Sequence, residues 1–159
     1  TAQLFVKLED GRPRIGLRRG RVLLSSAVVQ QFASALPTDV ENLHFFNLQK
    51  YPRESDLALL AASSVIDWMP QVESYVDTAA LMSELDLVVS VCTSTVHVAG
   101  ALGVPVWVLL SFSADWRWLL DRTDSPWYAS ATLFRQPKAS DWESVMQRVQ
   151  QGLIDFLKD

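Results

Sequence analysis

Short apolar runs alternate with stretches of helical spacing along this 159-residue chain. Pro13 to Leu17 (PRIGL) is the first run, and Arg18-Arg19-Gly20-Arg21 closes it, so it predicts a strand with a basic loop at its carboxyl end. Ser25 or Ser26 can cap a helix to about Leu36, where Pro37 stops it. Leu43 to Leu48 predicts a second strand ending at Gln49-Lys50, followed by a helix over Pro52 to Ala62 with Leu57, Leu60 and Ala61 inward. Ser64 to Ile66 predicts a short third strand running into Asp67-Trp68-Met69-Pro70. Asp77 or Thr78 can cap a helix through Leu85.

The second half reads more sharply. Leu87 to Val91 (LVVSV) predicts a buried central strand from its β-branched content. Thr93 to Leu102 predicts a helix, with Gly103 where a helix end favours a residue tolerant of positive φ. Val104 to Leu110 is the next strand, which admits Pro105 only at its start. An aromatic-rich irregular stretch covers Ser111 to Ser130, and a strand lies near Thr132 to Arg135. Ser140 to Glu143 has the spacing of a capping box, opening a helix with Trp142, Val145, Met146, Val149, Leu153, Phe156 and Leu157 at helical intervals.

Strands alternating with helices imply an α/β domain, a Rossmann-like open parallel sheet with helices on both faces. In the doubly wound order, the first and fourth strands adjoin at the switch point, and ligands bind at their carboxyl ends. That rule selects Arg18 to Arg21 and Cys92 to His97 as the candidate site. Between Ser90 and His97 a hydrophobic strand passes into a helix through Thr93, Ser94 and Thr95. A helix start presents unpaired N–H groups and a positive dipole end, which stabilise an anion such as a phosphate, and hydroxyls add donors. His97 can donate to a phosphate or a ribose; the plainer alternative is a helix cap and a satisfied helix histidine. Arg18, Arg19 and Arg21 can neutralise a diphosphate or form a solvated loop, and Lys50 is a weaker candidate of the same kind. Trp68 and Met69 can shelter a nucleobase, or Trp68 can cover the sheet edge. The clusters from Asp115 to Trp118 and Ser125 to Tyr128 suit core packing, a sugar-facing wall or a docking surface, and Arg117 between two Trp permits stacking.

Composition narrows the classes. With 49% hydrophobic and 20% charged residues, the chain suits one globular domain over residues 1–159. A net charge of −4 argues against nucleic-acid backbone binding. A single cysteine, Cys92, excludes an internal disulfide or multi-cysteine metal site and fits a reducing, cytoplasmic compartment; its default reading is a buried strand-end residue. No apolar run is long enough for a membrane span. No metal or cofactor is expected: neither His has metal-ligand spacing, and no dinucleotide fingerprint, P-loop or nucleophile elbow is present. The chain opens on Thr1 rather than Met, so a piece of a longer protein is expected.

The residues from Asp77 to Leu81, Leu85 to Ser90, Thr93, His97, Ala99 to Gly103 and Pro105 to Trp107 resemble the carboxyl-terminal domain of bacterial glycosyltransferases that carry tetratricopeptide repeats. These are related to heptosyltransferases and, more distantly, to O-GlcNAc transferases. Asp115 to Arg122, Asp124 to Tyr128 and Leu133 to Gln136 are similar to the same group. The resemblance implies the second half of a GT-B architecture, which holds a nucleotide diphosphate sugar as substrate. It implies that Thr93, Ser94, Thr95 and His97 face the diphosphate or ribose, that the loop after Leu17 is basic, and that Trp68-Met69 lies near the base, taken as UDP-type. It also implies an acceptor-binding half and helical repeats elsewhere in the intact chain. The catalytic base is expected there, so the isolated domain should not turn over. Two features depart from the group: Cys92 stands where Asp is usual, and the loop after the first strand is shorter and lacks the usual Asn and Lys. The alternative expectation is a degenerate, non-catalytic domain that acts as an interaction scaffold beside helical repeats.

Overall fold

A computed structural model describes residues 21–24, 44–51, 54–62 and 65–156. Six parallel strands form one open sheet: β1 (Arg21–Leu24), β2 (His44–Asn47), β3 (Ile66–Asp67), β4 (Leu87–Val91), β5 (Val106–Leu110) and β6 (Ala131–Arg135). Their order is β3-β2-β1-β4-β5-β6, the doubly wound arrangement. β1 therefore lies beside β4, with Val22 level with Leu87 and Leu24 level with Val89. The described helices are α1 (Glu54–Ala62), α2 (Tyr75–Ser83), α3 (Ser94–Ala101) and α4 (Trp142–Phe156).

Strand side chains alternate between two apolar layers, as a sheet covered on both faces requires. Val88, Val106, Val108, Leu110 and Leu133 pack with Leu81 and Met82 of α2, Val96 and Ala99 of α3, and the fully buried Trp118. Leu87, Val89, Trp107 and Leu109 face the other way, onto Val145, Val149 and Leu153 of α4. The fold is thus α/β with a Rossmann-like open sheet. Among the described residues, no helix is long and apolar enough to cross a membrane.

Several boundaries differ from the sequence reading. The strand beside β4 is Arg21–Leu24 rather than Pro13 to Leu17, which lies outside the described residues, as does the helix expected from Ser25 or Ser26 to Leu36. Gly16 interrupts PRIGL, whereas Val22, Leu23 and Leu24 are continuous, followed at once by two serines that can leave a strand. Leu57 and Ala61, expected inward on α1, are exposed. Apolar residues lie all around that short helix, so its pattern selects no face.

α2 is capped by Ser74, not by Asp77 or Thr78, and Asp77 is instead the third helical residue of a capping box. At α4 the expected box from Ser140 to Glu143 does not form. Ser140 takes φ 64°, and the Asp141 carboxylate accepts from the Ser144 amide at 3.2 Å. An Asp one position later is an equally good cap, and the left-handed turn at Ser140 brings it into place. Gly103 adopts φ 71° at the end of α3, as its position predicts.

Candidate functional site

β4 delivers the hydroxyl-rich turn to the carboxyl edge of the sheet. The buried Ser90 hydroxyl donates to the Val91 carbonyl at 2.9 Å and lies 3.3 Å from the Thr93 hydroxyl. Its proton is committed to that carbonyl, so Thr93 is the donor of the second bond. Thr93 consequently turns back toward the strand. It occupies the cap position of α3, yet its side chain makes no capping bond.

The helix start is therefore open. The Val96 amide reaches the Thr93 carbonyl at 3.1 Å, while the amides of Ser94 and Thr95 have no partner among the described residues. α2, which starts nearby, is closed by contrast. Asp77 accepts from the Ser74 amide and hydroxyl, both at 2.9 Å, and from the Glu73 amide at 3.2 Å. The Ser74 donors, above all, hold the Asp77 carboxyl below its ordinary range. One helix start carries its own anion and the other does not. Tyr75, in the first turn of α2, donates its phenol to the Ser94 hydroxyl at 3.2 Å and so reaches across to the open start.

His97 sits one turn into α3 between two aromatics. Its Nδ1 is 2.9 Å from the Tyr128 hydroxyl, and its ring stacks on Trp118 at 5.8 Å between centroids with 17° between planes. Gly100 makes the Tyr128 contact possible, because a Cβ there would lie 2.4 Å from the Tyr128 ring. The indole N–H of Trp118 donates to the Cys92 sulfur at 3.0 Å. Cys92 is exposed rather than buried, because it stands past the last strand residue, where the chain leaves the core for the helix start. The stretch from Ser111 to Ser130 thus supplies both residues that grip His97.

The other basic and aromatic candidates are more dispersed. Arg21 opens β1 level with His44, at the amino-terminal edge and so at the opposite end of the sheet from Thr93 to His97. It does not join them, because the strand follows the basic residues instead of preceding them. Arg18 and Arg19 lie outside the described residues. Lys50, past the end of β2, donates to the Glu73 carbonyl at 3.1 Å. Asn47 ties the end of β2 to that of β3 by donating to Asp67 at 3.0 Å, and the Met69 amide donates to the same carboxylate at 3.1 Å. Met69 is buried in the core, and Trp68 is half-buried against it.

Arg117 stacks over Trp116 at 5.0 Å, and its Nη1 donates to both Asp115 oxygens at 2.9 Å. The Arg117 amide first, and then its guanidinium, hold the Asp115 carboxyl low. Arg135 donates to the carbonyls of Trp118 and Leu119, at 3.1 and 2.7 Å, and so fastens the turn where Leu119 and Asp121 both take φ 51°.

The sequence does not single out Tyr75 or Gly100, and it offers Trp118 and Tyr128 as core, sugar wall or docking surface without linking either to His97. A glycine inside a helix, three positions after His97, was the available signal, because such a residue marks a close approach. Tyr128 lies 31 positions from its partner, and no periodicity links the two.

No family model matches this chain. It is similar to Protein FlbA of Caulobacter vibrioides, at 31% identity over 160 aligned positions that span 94% of this chain and 26% of that protein. The chain therefore covers about a quarter of the length of that curated relative.

Proposed function

We propose that this chain is the nucleotide-sugar-binding domain of a GT-B glycosyltransferase, related to those that carry tetratricopeptide repeats. The reaction moves a sugar from a nucleotide diphosphate sugar, of UDP type, to an acceptor hydroxyl in a reducing, cytoplasmic compartment. The observation that carries this reading is the open start of α3 at the switch point between β1 and β4. The amides of Ser94 and Thr95 lack partners among the described residues there, and the hydroxyls of Ser94 and Thr95 stand beside them. Fixed N–H dipoles at that place hold the diphosphate and stabilise the charge that develops as it departs. His97 adds a donor one turn along. Lys50 serves from the rim, whereas the backbone of Arg21 stands at the opposite edge of the sheet. Trp68 supplies apolar cover for the base. The acceptor half, the helical repeats and the catalytic base belong to other parts of the whole protein, and this domain alone turns nothing over.

Calorimetric titration with UDP, GDP and ADP sugars tests the reading. Saturable heat with one base, abolished by the pyrophosphate-site variant Ser94→Pro and weakened by His97→Ala, supports it. No heat with any donor discards it in favour of the second reading, an interaction scaffold. The connection from β5 to β6 favours that alternative: Phe112, Trp116, Leu120 and Trp127 are each more than half exposed.

A further inference from the structure

We infer that Tyr128 locks His97 in the tautomer that carries its proton on Nε2, which makes Tyr128 a positioning residue and leaves His97 a donor through Nε2. The contact is 2.9 Å from the Tyr128 hydroxyl to Nδ1, and either atom can supply the proton. Two considerations decide the direction. The bare nitrogen of a neutral imidazole accepts better than a phenol oxygen, whose lone pair is drawn into its ring, and a phenol O–H is a strong donor. Tyr128 therefore donates, Nδ1 is bare, and the proton resides on Nε2.

The surroundings make this arrangement rigid. The Tyr128 ring lies directly on Gly100, where any Cβ would intrude to 2.4 Å, so the hydroxyl has little freedom along the helix. Trp118 is fully buried, covers the imidazole at 17° and is itself anchored through its indole N–H to Cys92. The ring cannot flip without breaking the Tyr128 bond or the stack. The two ring nitrogens face apart, so Nε2 is turned away from Tyr128 and Gly100. It has no hydrogen-bond partner among the described residues. That its acceptor is a phosphate or ribose oxygen rests on the donor-site reading above. The tautomer itself does not.

The test combines imidazole nitrogen NMR with binding of UDP. Long-range proton–nitrogen spectra, recorded on the alkaline side of the imidazole titration, should show His97 protonated at Nε2 and bare at Nδ1. Tyr128→Phe keeps the ring on Gly100 and removes the hydroxyl. It should give mixed tautomers and weaken UDP roughly tenfold, as expected for misplacing one donor to a charged group. In the His97→Gln background, whose amide donor needs no tautomer, Tyr128→Phe should leave UDP affinity unchanged. A proton on Nδ1 in the wild type, or an unaltered tautomer in Tyr128→Phe, overturns the inference. The Nε2–H tautomer in a wild type that ignores UDP sinks the donor-site reading and leaves this one standing.

Discussion

Gly100→Ala tests how the site is built. The added Cβ would stand 2.4, 2.5 and 2.9 Å from three Tyr128 ring atoms, where ordinary contact begins near 3.4 Å. The ring must withdraw by about 1 Å, which carries its hydroxyl out of reach of His97. Three effects compete. Alanine in a helix interior gains about 1 kcal/mol over glycine. Overpacking costs about 1–3 kcal/mol, and the lost hydrogen bond costs about 1 kcal/mol more. The net expectation is a loss of about 1–3 kcal/mol, or roughly 2–12 °C in melting temperature for a domain of this size. Urea unfolding measures it. The informative arm is the same substitution in a Tyr128→Ala background, where there is no ring to strike. There Gly100→Ala should stabilise by about 1 kcal/mol, reversing sign. An equal loss in both backgrounds would refute the collision with Tyr128 as the cause.

Cys92→Ala removes the acceptor of a buried indole N–H and should cost about 1 kcal/mol with a shift in Trp fluorescence, whereas Cys92→Ser retains most of the stability. Asp77 has its carboxyl held below the ordinary value of 3.8, so its contribution is full above that pH and is lost as acidification passes its lower folded value. Asp77→Asn should therefore melt lower at neutral pH and show a flatter decline in acid, as read by melting temperature against pH. Arg135→Met frees the carbonyls of Trp118 and Leu119 but also removes buried donors, Nε and Nη1, that lack partners. Global stability should change by less than about 1 kcal/mol. Amide exchange at the positive-φ turn Leu119 to Asp121 should accelerate.

What the sequence revealed follows from the range of the forces involved. β4 lies at Leu87–Val91, as its apolar run predicts, because a central strand buried on both faces favours apolar residues, and the buried Ser90 has hydrogen-bond partners. α4 is equally legible: Val145, Val149 and Leu153 are buried at helical spacing against one face of the sheet. Edge elements were harder to place. β3 has two residues, and α1 is apolar all around, so neither leaves a period to read. Two short apolar runs flank one basic loop, and apart from Gly16 in the first of them it is the pairing with β4 that distinguishes them. Taking the first run for the strand is what puts Arg21 at the carboxyl edge instead of the opposite one.

At the site itself, Thr93 to His97 were found because they are contiguous in the chain. Tyr128 and Trp118 come from a loop whose path depends on tertiary contacts, including the Arg135 bonds to its turn, and no local spacing encodes that path. The exposed sulfur of Cys92 has the same origin. Its partner is an indole brought from 26 positions away.

A diphosphate held at the open first turn of α3, as proposed, is read residue by residue in amide NMR under titration. Adding UDP to the labelled protein should shift the amides of Ser94 and Thr95 most strongly and saturably, with smaller changes at Val96 and His97. Uridine should leave them unmoved. Shifts confined to other parts of the sheet, or none at any concentration of UDP, would contradict the account.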